Sequence, residues 1–150
     1  MIETLQILPQ TLTSNTDNIN FTTIDVKTRS ANCCGWLQYM NGGSDFTLIG
    51  GGRFKVSFNA NITDLTDASI LALALKSSLG SDVEGTEMDV SVATAGDYYN
   101  ISFTKILEVC PRVNTTIAIG SLPAVGGVTP VVETGIPTLK DGNLIIEKIA

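Results

Sequence analysis

The chain has 150 residues, 43% of them hydrophobic and only 16% charged, with a formal net charge of −6 at pH 7. A charged fraction well below the typical value of about 25% excludes a disordered chain, which is rich in charge and poor in apolar residues. The nine basic residues form no cluster, so the long-range attraction that nucleic-acid binding requires is missing. No run approaches the roughly 18 consecutive apolar residues of a membrane-spanning helix.

The first residues, Met1-Ile2-Glu3-Thr4-Leu5, lack the basic region and long apolar stretch of a secretory signal. A protein made in a reducing cytoplasm is expected. Residues 1–18 are polar and irregular after Pro9 and read as an N-terminal arm, leaving one folded domain over 19–150. Phe21–Lys27, Trp36–Met40 and Phe46–Ile49 read as short strands, each bounded by Asn, Gly or Ser. Gly50-Gly51-Gly52 predicts a tight turn. It is not a phosphate loop, because the Gly-Lys-Ser/Thr ending is absent and a strand follows instead of a helix.

Period-two alternation is clearest over Arg53–Ile62, where Phe54, Val56, Phe58, Ala60 and Ile62 share one face. The next segment, Asp67–Gly80, supports two readings. Its helix propensity is high and Gly80 suits a C-cap, yet as a strand it places Leu71, Leu73 and Leu75 on one face and Ile70, Ala72 and Ala74 on the other. The strand is preferred, because strands flank it on both sides. Met88–Val92 alternates again, and Gly96-Asp97 marks a turn. Tyr99, Ile101, Phe103, Lys105 and Leu107 share a face of a strand broken near Pro111, and Thr115–Ile119 is a short strand ending before Gly120. Gly120–Pro137 reads as a loop with an edge strand near Val131-Val132. Asp141-Gly142 predicts a tight turn before Leu144–Ile149, which is apolar on both faces and reads as a central strand. The sum is an all-β, antiparallel fold, a sandwich or jelly roll.

Candidates for chemistry are few. The chain has no histidine, which removes the Ser-His-Asp and Cys-His arrangements and the commonest general base. Cys33 and Cys34 are adjacent and Cys110 is alone, so no zinc spacing exists. All three are expected to be reduced, buried and dispensable. Asp82, Glu84, Glu87 and Asp89 surround Gly85. A solvated acidic hairpin is the preferred reading, over a hydrolytic carboxylate pair or a calcium site. Asn20, Asn61, Asn100 and Asn114 each begin an Asn-x-Ser/Thr triplet, which on an Asn- and Thr-rich β surface is a by-product of composition. The expectation is a non-enzyme with no cofactor and no metal.

Four segments carry a family likeness: GGGRFKVSFNANIT (50–63), SILALALKSSLG (69–80), GDYYNISFTKILEVCPRVNTTIAIGS (96–121) and NLIIEKIA (143–150). Together they resemble the tumour-necrosis-factor-like jelly roll. More narrowly, with Cys33-Cys34-Gly35-Trp36, they resemble its single-domain forms in bacteriophages and prophages of gut Gram-positive bacteria. That resemblance implies a trimer about a threefold axis with one sheet of each subunit buried, and no catalytic residues. Within these 150 residues no collagen-like or coiled-coil stalk is read ahead of the domain, in departure from long-fibre members. A long fibre encoded in this one chain is therefore not expected.

The resulting expectation is a homotrimeric structural protein of a bacteriophage virion, a head decoration or head fibre that contacts other virion proteins. The runner-up is a receptor- or carbohydrate-binding module of a phage tail or cell surface. The low charge and the two-faced apolar strands Ile70–Leu75 and Leu144–Ile149 also point to a trimer, since a two-layer sandwich covers a strand on one face only. Ile70, Leu71, Tyr98 and Tyr99 are the candidate interface residues.

Overall fold

The computed structural model describes residues 2–7, 9–14, 17–27, 35–40, 42–77, 83–122 and 135–150. They hold eleven strands: β1 (Ile2–Gln6), β2 (Gln10–Thr11), β3 (Thr22–Lys27), β4 (Leu37–Tyr39), β5 (Phe46–Leu48), β6 (Gly52–Thr63), β7 (Ser69–Ser77), β8 (Met88–Val92), β9 (Tyr99–Val109), β10 (Thr115–Leu122) and β11 (Thr138–Lys148). Sheet A has the order β3-β1-β11-β6-β9, with β2 also pairing to β11, and sheet B has the order β4-β5-β10-β7-β8. All pairings are antiparallel. The chain changes sheet at β3–β4, β5–β6, β6–β7, β8–β9, β9–β10 and β10–β11, and this crossing back and forth makes a jelly roll rather than a meander.

The alternation read in Arg53–Ile62 is the organising pattern of the core. Phe54, Val56, Phe58, Ala60 and Ile62 of β6 are buried, opposite Leu71, Leu73 and Leu75 of β7. Phe21 meets Phe46 edge to face with centroids 5.3 Å apart, and Trp36 lies 5.7 Å from Phe54. Aromatic rings supply the largest buried areas per residue in such a core. At the Gly50-Gly51-Gly52 turn the backbone runs left-handed, with φ of 79°, 64° and 113°. A side chain on Gly52 would strike the backbone carbonyl of Ala150, which accepts a hydrogen bond from the Arg53 N–H at 2.8 Å.

Within residues 67–80, Ser69–Ser77 form the strand β7, held between β10 and β8. Ladder pairing on both sides and burial of three leucines outweigh its helix propensity, which is a weak prior.

Four expectations are corrected. Residues 1–18 are not an arm: β1 lies between β3 and β11, and Leu5, Ile7 and Leu12 are buried. The following segment also closes on sheet B. Ile19 N–H donates to the Ile119 carbonyl at 2.8 Å and Ser121 N–H to the Asp17 carbonyl at 2.9 Å. Second, Asp141-Gly142 is no turn. It lies inside β11 beside a bulge between Leu139 and Asp141, and glycine is needed because a Cβ would collide with the Asn59 carbonyl of β6. Third, Gly120 does not end its strand. It pairs with Ala74 within β10, where a Cβ would meet the side chains of Asn18 and Lys76. Fourth, both faces of β7 are covered within one subunit, since Ala72 and Ala74 are as fully buried as the leucines. A neighbouring subunit is not needed to cover β7. The expected edge strand at Val131-Val132, together with Gly80, lies outside the described residues.

Candidate assembly interface

β8 and β9 are the edge strands of sheets B and A, and they run close to each other along one side of the sandwich. The core is left partly open there. Val83, Met88, Val90, Tyr99, Phe103 and Leu107 pack against it while remaining only half-buried. The alternation in β9 puts Tyr99, Ile101, Phe103, Lys105 and Leu107 on one face. Ile101 and Val109 are buried, whereas Tyr99, Phe103 and Leu107 stay half-exposed, and among the described residues no further strand pairs with this edge. Phe103 is seated on Phe58 with centroids 5.8 Å apart.

A turn anchors the end of this seam. Val83 N–H donates to the Leu75 carbonyl at 2.8 Å. The buried Thr86 hydroxyl accepts from Leu75 N–H at 3.1 Å and donates to the Val83 carbonyl at 2.7 Å. Lys105 sits in the inward row of β9 and donates from Nζ to the Glu84 carbonyl at 2.7 Å. An inward-pointing charge on an edge strand guards against indefinite edge-to-edge pairing.

The outer face of sheet A shares β9 with this seam. Across β1, β11, β6 and β9 the register sets Gln6, Asn143, Asn59 and Ser102 in one row, and Thr4, Ile145, Ser57 and Thr104 in the next. Neither row carries a charge. Charges stand at the two ends of the face, with Asp141 at one and the cross-strand neighbours Lys55 and Glu147 at the other, where Ile106 is 48% exposed. Side chains on the face bond one another. Thr104 donates to Ser57 Oγ at 3.1 Å, Asn59 to Asn100 Oδ1 at 3.3 Å, Asn100 to Asn61 Oδ1 at 3.1 Å and Asn61 to Asp141 Oδ1 at 2.5 Å. Uncharged groups already paired laterally cost far less to remove from water than charges do.

The four candidate residues do not form one patch. Tyr99 lies in the seam. Tyr98 is 41% exposed just outside it, with the Lys140 ammonium 5.5 Å above its ring. Ile70 is half-buried on the outer side of sheet B, opposite Ser91 of β8. Leu71 is fully buried in the core of its own subunit, so it presents nothing to a neighbour. The half-buried row Met88, Val90, Phe103 and Leu107 was missed as a candidate surface. Its alternation was visible, but only the strand order reveals that β8 and β9 are edges.

Cys110 is exposed, which corrects the expectation of burial: it lies past the end of β9, beside Pro111. Cys33 and Cys34 lie outside the described residues, as does Asp82. Glu84, Glu87 and Asp89 are exposed around the Gly85 turn. Among the described residues no group of three or more His, Cys, Asp or Glu is placed to hold a metal, and no helix is long and apolar enough to cross a membrane.

No family model matches the chain and no curated protein matches it in sequence. Solved structures do match in fold. Murine APRIL at pH 8.5 aligns with a TM-score of 0.56 at 12% identity, over 99% of this chain and 100% of that one. The same protein at pH 5.0 gives 0.57 at 10% identity over the same shares. The globular domain of a zebrafish complement 1qA protein gives 0.50 at 16% identity, over 97% and 95%. Two antiparallel sheets in this strand order, matched over nearly the whole chain, make the fold a tumour-necrosis-factor-like jelly roll.

Proposed function

We propose that the chain is a non-catalytic structural subunit that assembles as a homotrimer and serves on the surface of a bacteriophage virion, as a head decoration or head fibre, in contact with other virion proteins. The observation that carries the assembly reading is the half-buried apolar seam along β8 and β9, flanked on the same strand by the uncharged face of sheet A. Two different surfaces side by side suit a heterologous contact, with the seam of one copy on the face of the next. Such contacts close when rotation about an axis completes a ring. The jelly-roll likeness supports three copies in that ring, and the resemblance of residues 50–63, 69–80, 96–121 and 143–150, with Cys33-Cys34-Gly35-Trp36, to phage proteins of this fold supports the virion placement.

Thr104→Arg tests the assembly reading. Thr104 is exposed and contributes one surface hydrogen bond, so the subunit should keep its β-type circular dichroism. An unpaired charge buried in the contact costs several kcal/mol, so the variant is expected to be a folded monomer at micromolar concentration. A Thr104→Arg trimer as stable as wild type would remove the sheet A face from the interface. Proteomics of purified particles from the source virus tests the placement, with this chain expected among the structural proteins. Its absence from infectious particles would refute the virion role.

A further inference from the structure

We propose that the edge of sheet B at β4 and β5 holds a binding site for a neutral saccharide, on the opposite side of the sandwich from the β8–β9 seam and independent of trimer formation. A groove of about 440 Å³ opens there, lined by Gln38, Tyr39, Met40, Ser44, Asp45 and Thr47, with Gly43 between them. That volume falls in the range of roughly 300–1,000 Å³ typical of small-molecule sites.

The groove is built on fixed parts. The Tyr39 ring rests against the buried Phe46 ring with centroids 5.8 Å apart, so its position is set by the core. Gly42 N–H donates to the Phe21 carbonyl at 2.8 Å, and Phe21 N–H donates to the Gly43 carbonyl at 2.9 Å. These two bonds pin one wall to the segment before β3. The hydroxyls of Thr47 and Thr116 share a hydrogen bond of 3.1 Å across the β5–β10 pair, and Ser44 Oγ lies 3.3 Å from Asp45 Oδ1. A site held by rigid strands and a packed aromatic loses little entropy on binding.

The lining chemistry selects the ligand class. Among the described lining residues Asp45 is the one charge, with no Lys or Arg beside it, a lining that disfavours phosphates, nucleotides and acidic sugars. A purely apolar ligand would take the Gln38 amide and the Asp45 carboxylate out of water without offering either a hydrogen bond, at a desolvation cost for each. A pyranose ring meets both demands. Its C–H face packs on an aromatic and a thioether, here Tyr39 and the 79% exposed Met40, while adjacent ring hydroxyls donate to a carboxylate and pair with an amide. The volume accommodates a disaccharide.

The test is ligand-observed saturation-transfer NMR on the full chain with maltose, cellobiose, lactose and chitobiose at about 10 mM each, with sialyllactose as the anionic comparison. At least one neutral disaccharide should receive saturation, strongest on the C–H protons of one ring face, and sialyllactose should receive less than lactose. Tyr39→Ala and Asp45→Ala should each weaken the interaction about fivefold or more with unchanged circular dichroism. No transfer to any of the four neutral sugars, or equal transfer in both variants, would overturn the proposal. The oligomer mass is read on the same sample, so a trimer that binds no sugar overturns this site alone.

Discussion

Leu71→Asp is expected to abolish folding, and no folded monomer should be recovered from it. Leu71 is fully buried between the sheets, in the strand that β10 and β8 flank. Truncating a buried leucine costs about 2–5 kcal/mol, and burying an unpaired carboxylate adds several more. Whole domains are stable by only about 5–15 kcal/mol, so the sum reaches or exceeds what holds the subunit together. A thermal melt followed by circular dichroism should show no cooperative transition. A cooperative melt near the wild-type midpoint would contradict the inward placement of Leu71. The contrast with Thr104→Arg is informative: one charge is placed in a core and the other on an outer face, so the first removes the fold and the second only the assembly.

Asp64→Ala should lower stability by about 2–4 kcal/mol, because it leaves several donors without an acceptor. Asp64 directly follows β6 and is 2% exposed. Its Oδ1 accepts from Thr66 N–H at 2.9 Å, the Thr66 hydroxyl at 2.9 Å and Asp67 N–H at 3.2 Å, and Oδ2 accepts from the Ser69 hydroxyl at 2.7 Å. Its carbonyl also receives Gly96 N–H at 2.8 Å, joining the β6–β7 loop to the β8–β9 loop. Burial alone would push this carboxyl up. The bonds from Ser69, Thr66 and Asp67 outweigh burial and hold it below its ordinary range. A depressed folded-state value contributes stability that is complete above the unfolded value of about 3.9 and fades as pH falls through the folded one. The difference between wild type and Asp64→Ala, measured by denaturant titration at fixed protein concentration, should therefore be full at neutral pH and shrink in acid. A difference that grows on acidification would contradict the assignment.

What the sequence disclosed follows from how local each signal is. The alternation in Arg53–Ile62 needs no partner to be read, and it returned as β6 with the same inward residues. Met88–Val92 matches β8 residue for residue. β1 was missed because its order comes from ladders to residues far away, Thr22–Lys27 and Asn143–Glu147, while Pro9 just after it reads as irregular. Asp141-Gly142 carries the turn dipeptide, yet the glycine is needed for close approach to β6. Of the interface candidates, Tyr99 fell on the seam because aromatics with a polar tip suit half-open positions. Leu71 did not, because both faces of β7 are apolar and a sequence does not say which one the subunit keeps for itself.

The central claim is that the folded unit is a homotrimer, and the mass of the wild-type chain in solution tests it most directly. Light scattering after size exclusion at micromolar concentration should give about 48 kDa, three times the 15.9 kDa of one chain, with no change under reducing agent. A clean 15.9 kDa monomer would contradict the account, leaving the β8–β9 seam as an open edge and the domain as a single-copy module.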